Sequence, residues 1–180
     1  MPATDRDAPS HPPDAPVLIA GGGPVGMTLA LELARQGVAS RLFERAFETT
    51  RHPKMDITNG RSMELFRRLG LAKALRAAAV PADHPLDVAW VPSMAGRELH
   101  RFRYEAPADA ARRFRQINDG AQPLEPAMRV SQIVVEPILK AAVLKEPLID
   151  ARWGVAVEDV DETPAGVTLT VRDRATDRVD

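Results

Sequence analysis

The stretch VLIAGGGPVG, from Val17 to Gly26, decides the fold of this 180-residue chain. Its four leading apolar residues run into glycines, a pattern typical of a buried parallel strand that ends in a tight turn. Pro24 to Gln36 has helical spacing of apolar residues, and Gly37 is placed to end that helix. Ala39 to Glu44 predicts a second strand. The sequence therefore predicts a strand–turn–helix–strand unit of an α/β protein.

The glycine spacing in this turn matches the pattern G-x-G-x-x-G. Gly21 permits the tight turn, Gly23 has no Cβ to obstruct a pyrophosphate, and Gly26 lets the helix pack closely on the strand. Free N–H groups at the helix start can then bind the phosphates. The predicted cofactor-binding residues of this glycine turn are Gly21, Gly22, Gly23, Pro24, Val25 and Gly26.

Glu44 ends the second predicted strand, with seventeen residues between it and Gly26. A carboxylate at that place can accept hydrogen bonds from ribose hydroxyls, which indicates a dinucleotide site. It also disfavours a 2′-phosphate, and hence NADP, at this site. NAD and FAD both remain compatible with the spacing, and the alternative is a purely structural glycine turn.

Composition excludes several other classes of function. The net charge of −1 gives no electrostatic basis for binding nucleic acid or an anionic membrane. The chain has no cysteine, so it has no disulfide, thiolate metal site or thiol nucleophile, and this fits a cytoplasmic location. No apolar run is long enough to cross a bilayer. The histidines show no ligand spacing, so no metal site is predicted; they are His11, His52, His84 and His100.

The first fifteen residues are rich in Pro, Asp and Ala and are interpreted as a disordered leader, with one ordered domain over residues 16–180. Residues 46–58 lack periodicity and predict a loop. Asn59 is a plausible N-cap for a helix that reaches Leu69, and a short helix is predicted over residues 71–79.

Further along the chain, residues 87–91 and 98–104 predict an antiparallel strand pair, whereas residues 106–126 show no clear pattern. Ser131 is the predicted cap of a helix that reaches about Lys145. Three strands are predicted after it, over residues 149–153, 155–160 and 167–172. The first of these is expected to join the parallel sheet.

Four segments resemble the FAD-dependent aromatic hydroxylases, the single-component flavoprotein monooxygenases related to para-hydroxybenzoate and phenol hydroxylases. They are VLIAGGGPVGMTLALELARQGV, LFER, HPKMDITNGRSMELFRRLGL and RVSQIVVEPILKAAV. They occur in the family's order and cover most of residues 16–145. The later segments are not those of NAD dehydrogenases, so the resemblance favours FAD.

The resemblance implies a Rossmann-like FAD-binding domain with a partly parallel sheet and additional antiparallel strands. The strands over residues 87–104 would belong to the substrate side. The family's later Asp-Gly and Gly-Asp flavin motifs are expected beyond Asp180, so the domain is expected to be incomplete relative to the family.

The resemblance also assigns roles to single residues. The glycine turn would line the pyrophosphate, and Glu44 would hold the adenosine ribose with Arg45 beside it. Lys54 lies in a loop where relatives often place an arginine near the flavin, so the lysine departs from the family pattern. Val157 would flank the adenine through its backbone.

Arg129 and Gln132 correspond to the family's arginine and glutamine that reach the ribityl and phosphate groups of the flavin. A cationic guanidinium suits an anionic pyrophosphate. The alternative for Arg129 is a solvated surface arginine. The alternative for Gln132 is a capping role at the start of a helix.

In the family, NAD(P)H reduces the flavin, and O₂ and an aromatic ring are the other substrates. The flavin carries the chemistry, so no catalytic side chain is predicted, and residues 1–180 alone are not expected to hydroxylate a substrate. The alternatives are another FAD- or NAD-dependent oxidoreductase, such as a dehydrogenase, and a truncated non-catalytic nucleotide-binding module.

Overall fold

The computed structural model describes residues 15–52, 54–117 and 119–180. The predicted leader lies outside the described residues except for Ala15. The helices and strands follow one another as β1 (Val17–Ala20), α1 (Pro24–Arg35), β2 (Ser40–Glu44), β3 (Ile57–Thr58), α2 (Gly60–Arg68), α3 (Ala72–Ala78), β4 (Val88–Trp90), β5 (His100–Phe102), α4 (Pro107–Gln116), β6 (Met128–Arg129), α5 (Gln132–Val143), β7 (Ile149–Trp153), β8 (Val155–Thr163) and β9 (Gly166–Asp173).

A three-stranded parallel sheet organises the domain, in the order β1-β2-β7. Ile19 pairs with Leu42 on β2, and Leu42 pairs with Ala151 on the other side. Leu42 and Phe43 are buried because β2 is the central strand. The predicted strand–turn–helix–strand unit is confirmed. The prediction that the strand over residues 149–153, here β7, joins the parallel sheet is confirmed as well.

The hydrophobic core lies where helices α1 and α5 pack on each other beside the sheet. Helix α1 buries Met27, Ala30, Leu31 and Ala34, a spacing of three and four residues that places them on one face. The opposing face of α5 buries a second set at the same spacing: Val135, Glu136, Leu139 and Val143. One member of that set is a carboxylate, and it lies beside the candidate site.

Helix α2 begins as predicted. The Asn59 side chain accepts a hydrogen bond of 2.9 Å from the Ser62 N–H, which is the N-cap expected from the sequence. Met63 and Phe66 face the core. Gly70 follows the helix at a φ of +74°, a conformation that favours glycine.

One prediction about local structure is wrong, one holds only in part, and one helix forms where nothing was predicted. β3 forms within residues 46–58, predicted to be a loop, and pairs antiparallel with β6, which no pattern indicated. Helix α4 occupies part of residues 106–126, which showed no clear pattern. Ser131 stands at the N-cap position of α5, but its side chain makes no cap hydrogen bond, and its Oγ is buried without a partner in the described structure.

Two antiparallel hairpins complete the fold. β4 pairs with β5, as predicted, and β8 pairs with β9. β8 follows β7 directly through Gly154, which has a φ of +78°. In the part of the chain that the structure describes, no helix is both long and apolar enough to cross a membrane.

Candidate functional site

The glycine turn joins β1 to α1 with very little space between backbone segments. Gly21 has a φ of +110°, and its N–H donates a 2.8 Å hydrogen bond to the Phe43 carbonyl on the neighbouring strand. A Cβ added to Gly26 would lie 2.0 Å from the carbonyl oxygen of Gly21. Helix α1 therefore reaches this close to the turn only because Gly26 has no side chain.

Gly23 differs from Gly26, because a Cβ added to Gly23 would meet no atom within 4 Å. It is the N-cap of α1, and the first helical hydrogen bond runs from the Met27 N–H to its carbonyl. The N–H groups of Val25 and Gly26 therefore have no partner inside the helix. Neither a capping side chain nor an acidic first-turn residue offsets the positive helix end among the described residues. This open space beside free donors suits a pyrophosphate.

Glu44 is fixed at the end of β2 by two backbone donors. Its Oε2 accepts a 2.7 Å hydrogen bond from the Gly22 N–H, and its Oε1 accepts one of 2.8 Å from the Ala46 N–H. Each carboxylate oxygen retains capacity for another donor. The half-buried carboxylate can therefore also accept a hydrogen bond from a ribose hydroxyl.

The segment after β2 is held by the junction of β7 and β8. The Gly154 N–H donates to the Ala46 carbonyl at 3.1 Å, and the Arg174 side chain donates to the Arg45 carbonyl at 3.0 Å. A Cβ added to Gly154 would lie 2.5 Å from Cε1 of Phe47. The side chain of Arg45 is exposed next to Glu44, and the backbone here is held by Gly154 and Arg174, which come much later in the sequence.

Arg129 and Lys54 are placed differently from each other. Nε of Arg129 lies 2.9 Å from Oδ2 of Asp56, an ion pair without the alignment of a hydrogen bond, and Nη2 donates to the carbonyls of Leu86 and Asp87 at 3.3 and 3.1 Å. Arg129 is therefore a partly buried arginine with structural partners, not a solvated surface residue. Lys54 is exposed.

Gln132, the first residue of α5, is also engaged. Its backbone N–H donates to the Met55 carbonyl at 3.0 Å, and its Nε2 donates to Oε1 of Glu136 at 2.5 Å. The other carboxylate oxygen of Glu136 accepts a 2.7 Å hydrogen bond from the Thr50 N–H. The side chain of Gln132 thus bonds to Glu136 instead of capping the helix.

Glu136 is the residue that sequence reasoning missed. It is 4% exposed, on a helix whose other inward-facing residues are apolar. The available signal is its position four residues after Gln132, a spacing that brings two helix side chains into contact.

The structure therefore forms two groups from the predicted residues. One contains the glycine turn, Glu44 and Arg45, and the other contains Arg129 and Gln132 beside the loop that carries Lys54. The segment after β2 connects the two groups. Val157 lies farther along β8, where it pairs with Val171 of β9. Within the described ranges, no cluster of three or more His, Asp or Glu side chains is arranged to hold a metal ion.

The chain is similar to known proteins over most of its length. The family model described as FAD binding domain matches residues 14–180. The chain is 44% identical over 154 residues to the FAD-dependent monooxygenase apdD of Emericella nidulans, covering 85% of this chain and 25% of that protein. It is 32% identical to 4-methyl-5-nitrocatechol 5-monooxygenase of a Burkholderia species, covering 91% of this chain and 29% of that protein.

Solved structures give the same result. The flavin-dependent monooxygenase PieE, in complex with FAD and substrate, matches with a TM-score of 0.76 and 33% identity over 92% of this chain and 28% of its own. The rebeccamycin biosynthetic enzyme RebC with reduced flavin matches with a TM-score of 0.73 and 36% identity over 92% of this chain and 30% of its own.

The chain spans 25% to 30% of the length of these four proteins. The comparisons also decide between NAD and FAD, which the motif spacing left open, in favour of FAD. The chain belongs to the FAD binding domain family, and the resemblance to FAD-dependent aromatic hydroxylases that its motifs indicate is confirmed.

Proposed function

We propose that this chain is the FAD-binding part of a flavin-dependent monooxygenase that hydroxylates an aromatic substrate with NAD(P)H and O₂. The observation that carries the proposal is the open space at Gly23, beside unpaired N–H groups and a carboxylate fixed at Glu44. The names of the relatives, among them monooxygenases of a nitrocatechol and of phenol, support the substrate class.

The first group of residues binds the adenosine end of FAD in this proposal. The N–H groups of Val25 and Gly26 donate to the pyrophosphate, whose negative charge is favoured at the positive end of α1. Glu44 accepts from the ribose hydroxyls, and Arg45 lies beside it. Val157 is assigned to the adenine through its backbone.

The second group binds the ribityl and phosphate portion. Gln132 offers its carboxamide, Arg129 its guanidinium, and Lys54 an ammonium from the loop before β3. Arg129 faces Asp56 through Nε and donates to two carbonyls through Nη2, so a phosphate would meet the guanidinium at Nη1 or in place of one of these partners. When bound, the flavin supplies the redox chemistry with O₂, and this chain's residues bind it, orient it and exclude water.

The β4–β5 hairpin is assigned to the substrate side. Its aromatic rings form a cluster, with the centroids of Trp90 and Phe102 4.9 Å apart and those of His100 and Phe102 4.8 Å apart. Trp90 and Phe102 are about half exposed. Exposed aromatic faces at this place are suited to contact with a planar aromatic substrate.

The competing functions are a flavin-dependent dehydrogenase and a non-catalytic nucleotide-binding module. The test uses the whole polypeptide that carries these residues, with FAD, NADH or NADPH, a panel of phenols and ¹⁸O₂. We expect retained FAD, substrate-dependent NAD(P)H oxidation and one labelled oxygen in the product, and we expect residues 1–180 alone to give no product. Substrate oxidation without label would indicate a dehydrogenase, and absence of turnover, whether or not flavin is retained, would indicate the module.

A further inference from the structure

Glu136 is a buried carboxylate that the proposed chemistry does not use. It is 4% exposed, and each of its oxygens accepts one hydrogen bond, from the Thr50 N–H at 2.7 Å and from the Gln132 side chain at 2.5 Å. Both donors are uncharged. Among the described residues, no cation forms an ion pair with Glu136.

A buried carboxylate without a cation lowers stability unless its hydrogen bonds compensate, and an apolar side chain of similar size often serves a core better. Val135 and Leu139 on the same helix are fully buried and show that apolar residues fit this environment. The presence of a carboxylate therefore indicates that Glu136 serves to position the two groups that donate to it.

The first partner is the carboxamide of Gln132. A carboxylate oxygen only accepts hydrogen bonds, so Gln132 must turn its Nε2 toward Glu136. Its Oε1 is then turned away from Glu136 and is left as an acceptor. Ribityl hydroxyls can donate as well as accept, so in this orientation Gln132 can accept a hydrogen bond from one of them.

The second partner is the segment between the two groups of the site. Glu136 holds the Thr50 N–H, and one turn later on α5 Lys140 donates to the Phe47 carbonyl at 3.4 Å. Helix α5 thus fixes at two successive points the segment that leads from Glu44 toward Lys54.

We propose that Glu136 is a positioning residue for FAD, which sets the amide orientation of Gln132 and anchors the segment after β2 at Thr50. The inference rests on the proposed contact between Gln132 and FAD. Glu136 does not touch the cofactor in this arrangement, and it acts through the two groups that it holds.

The test is Glu136→Gln in the whole polypeptide. The variant keeps the size of the side chain but replaces one acceptor oxygen with a donor NH₂, so it cannot accept from both Thr50 and Gln132. We expect the dissociation constant of FAD to rise about tenfold, the scale of one unsatisfied hydrogen bond. We expect the Thr50 amide to exchange with solvent about tenfold faster in the FAD-free protein.

Glu48→Gln is the matched control. It removes a carboxylate from the same segment, but that carboxylate is exposed and pairs only with Lys140 among the described residues. Surface ion pairs contribute little, so neither FAD affinity nor Thr50 exchange should change measurably. Wild-type FAD affinity in Glu136→Gln would overturn the inference.

Two further measurements separate the inference from the proposed function. Gln132→Ala should weaken FAD binding; if it does not, the proposed contact of Gln132 is wrong, whatever Glu136 does. If Gln132→Ala weakens binding and Glu136→Gln does not, only the positioning role is wrong. If Glu136→Gln does not fold, hydrogen exchange of the Thr50 amide in the wild type still tests the inference. An unprotected Thr50 amide would contradict the hydrogen bond by which Glu136 anchors this segment.

Discussion

The backbone N–H of Gly22 donates a 2.7 Å hydrogen bond to Oε2 of Glu44, so the end of β2 and the glycine turn form one unit. A Cβ added to Gly22 would lie 2.7 Å from Cβ of Glu44, which shows how closely the two residues approach. Glu44 therefore has two roles, because it stabilises the glycine turn and also faces the position proposed for the ribose.

Glu44→Ala should weaken FAD binding by about 1–3 kcal/mol, the scale of a lost charge-assisted hydrogen bond. It should also lower thermal stability, since the N–H groups of Gly22 and Ala46 lose their acceptor. Glu44→Gln keeps one acceptor oxygen and should fall between wild type and Glu44→Ala. Titration calorimetry with FAD and thermal unfolding measure the two effects. Equal FAD affinity in all three proteins would place the ribose elsewhere.

Substitution by alanine should mainly affect folding at Gly26 and mainly affect FAD binding at Gly23. Gly26→Ala places a Cβ 2.0 Å from a backbone oxygen, so we expect marked loss of folded protein. Gly23→Ala meets no atom within 4 Å, so the FAD-free protein should lose only the small stability difference between glycine and alanine at an N-cap, while FAD affinity falls. Gly23→Val should bind FAD still more weakly. A Gly23→Val protein that retains FAD through purification as the wild type does would contradict the proposed pyrophosphate site.

Gly154→Ala should destabilise the domain through two separable effects. An alanine at a φ of +78° costs about 1–2 kcal/mol in the backbone, and its Cβ would also lie 2.5 Å from the ring of Phe47. Phe47→Ala removes only the second effect. In a double-mutant cycle by urea unfolding, we therefore expect Gly154→Ala to cost less in the Phe47→Ala background. Equal costs in both backgrounds would show that the ring moves aside freely.

The β4–β5 hairpin should open in acid. A hydrogen bond from the Tyr104 N–H holds the pKa of Asp87 below its ordinary value of 3.8, helped by Arg101 and opposed by burial. Because folding lowers this pKa, its stabilising contribution is present above pH 3.8 and is lost as the pH falls through the lower value of the folded state.

Trp90 fluorescence measures this opening once Trp153→Phe has removed the other tryptophan. We expect the signal to change below pH 3.8 and the change to shrink in Asp87→Asn, which already lacks the carboxylate. It should not vanish, because the pKa of Glu98 is also lowered, by its hydrogen bond to Arg101. An unaltered acid transition in Asp87→Asn would contradict the role of Asp87.

The parallel sheet and the glycine turn are predictable because their sequence signals are local. A buried strand requires an apolar run, a tight turn requires glycines at fixed spacing, and a ribose site requires a carboxylate at the end of the second strand. Helix α2 is predictable for the same reason, since Asn59 and Gly70 mark its ends. The hairpin of β4 and β5 follows from two short strand-like runs on either side of a turn.

The errors and the elements that the sequence did not indicate lie where distant residues determine the structure. β3 and β6 have two residues each, too few to show a period, and each forms only because the other is present. Helix α4 buries Pro107 and Ala110, too small an apolar face to stand out in an Ala/Arg-rich segment. The role of Glu136 depends on Thr50, which approaches it only in the folded chain.

The strand order β1-β2-β7 also determines the order in which the parts of this domain can fold during synthesis on the ribosome. β2 lies between β1 and β7, so one of its edges stays unpaired until Trp153 has left the exit tunnel. Throughout the synthesis of the intervening helices, the nascent chain carries an open strand edge able to pair with other chains. The backbone hydrogen bond from the Gly154 N–H to the Ala46 carbonyl forms equally late, so the segment beside the proposed FAD site is fixed only after β7 has been synthesised.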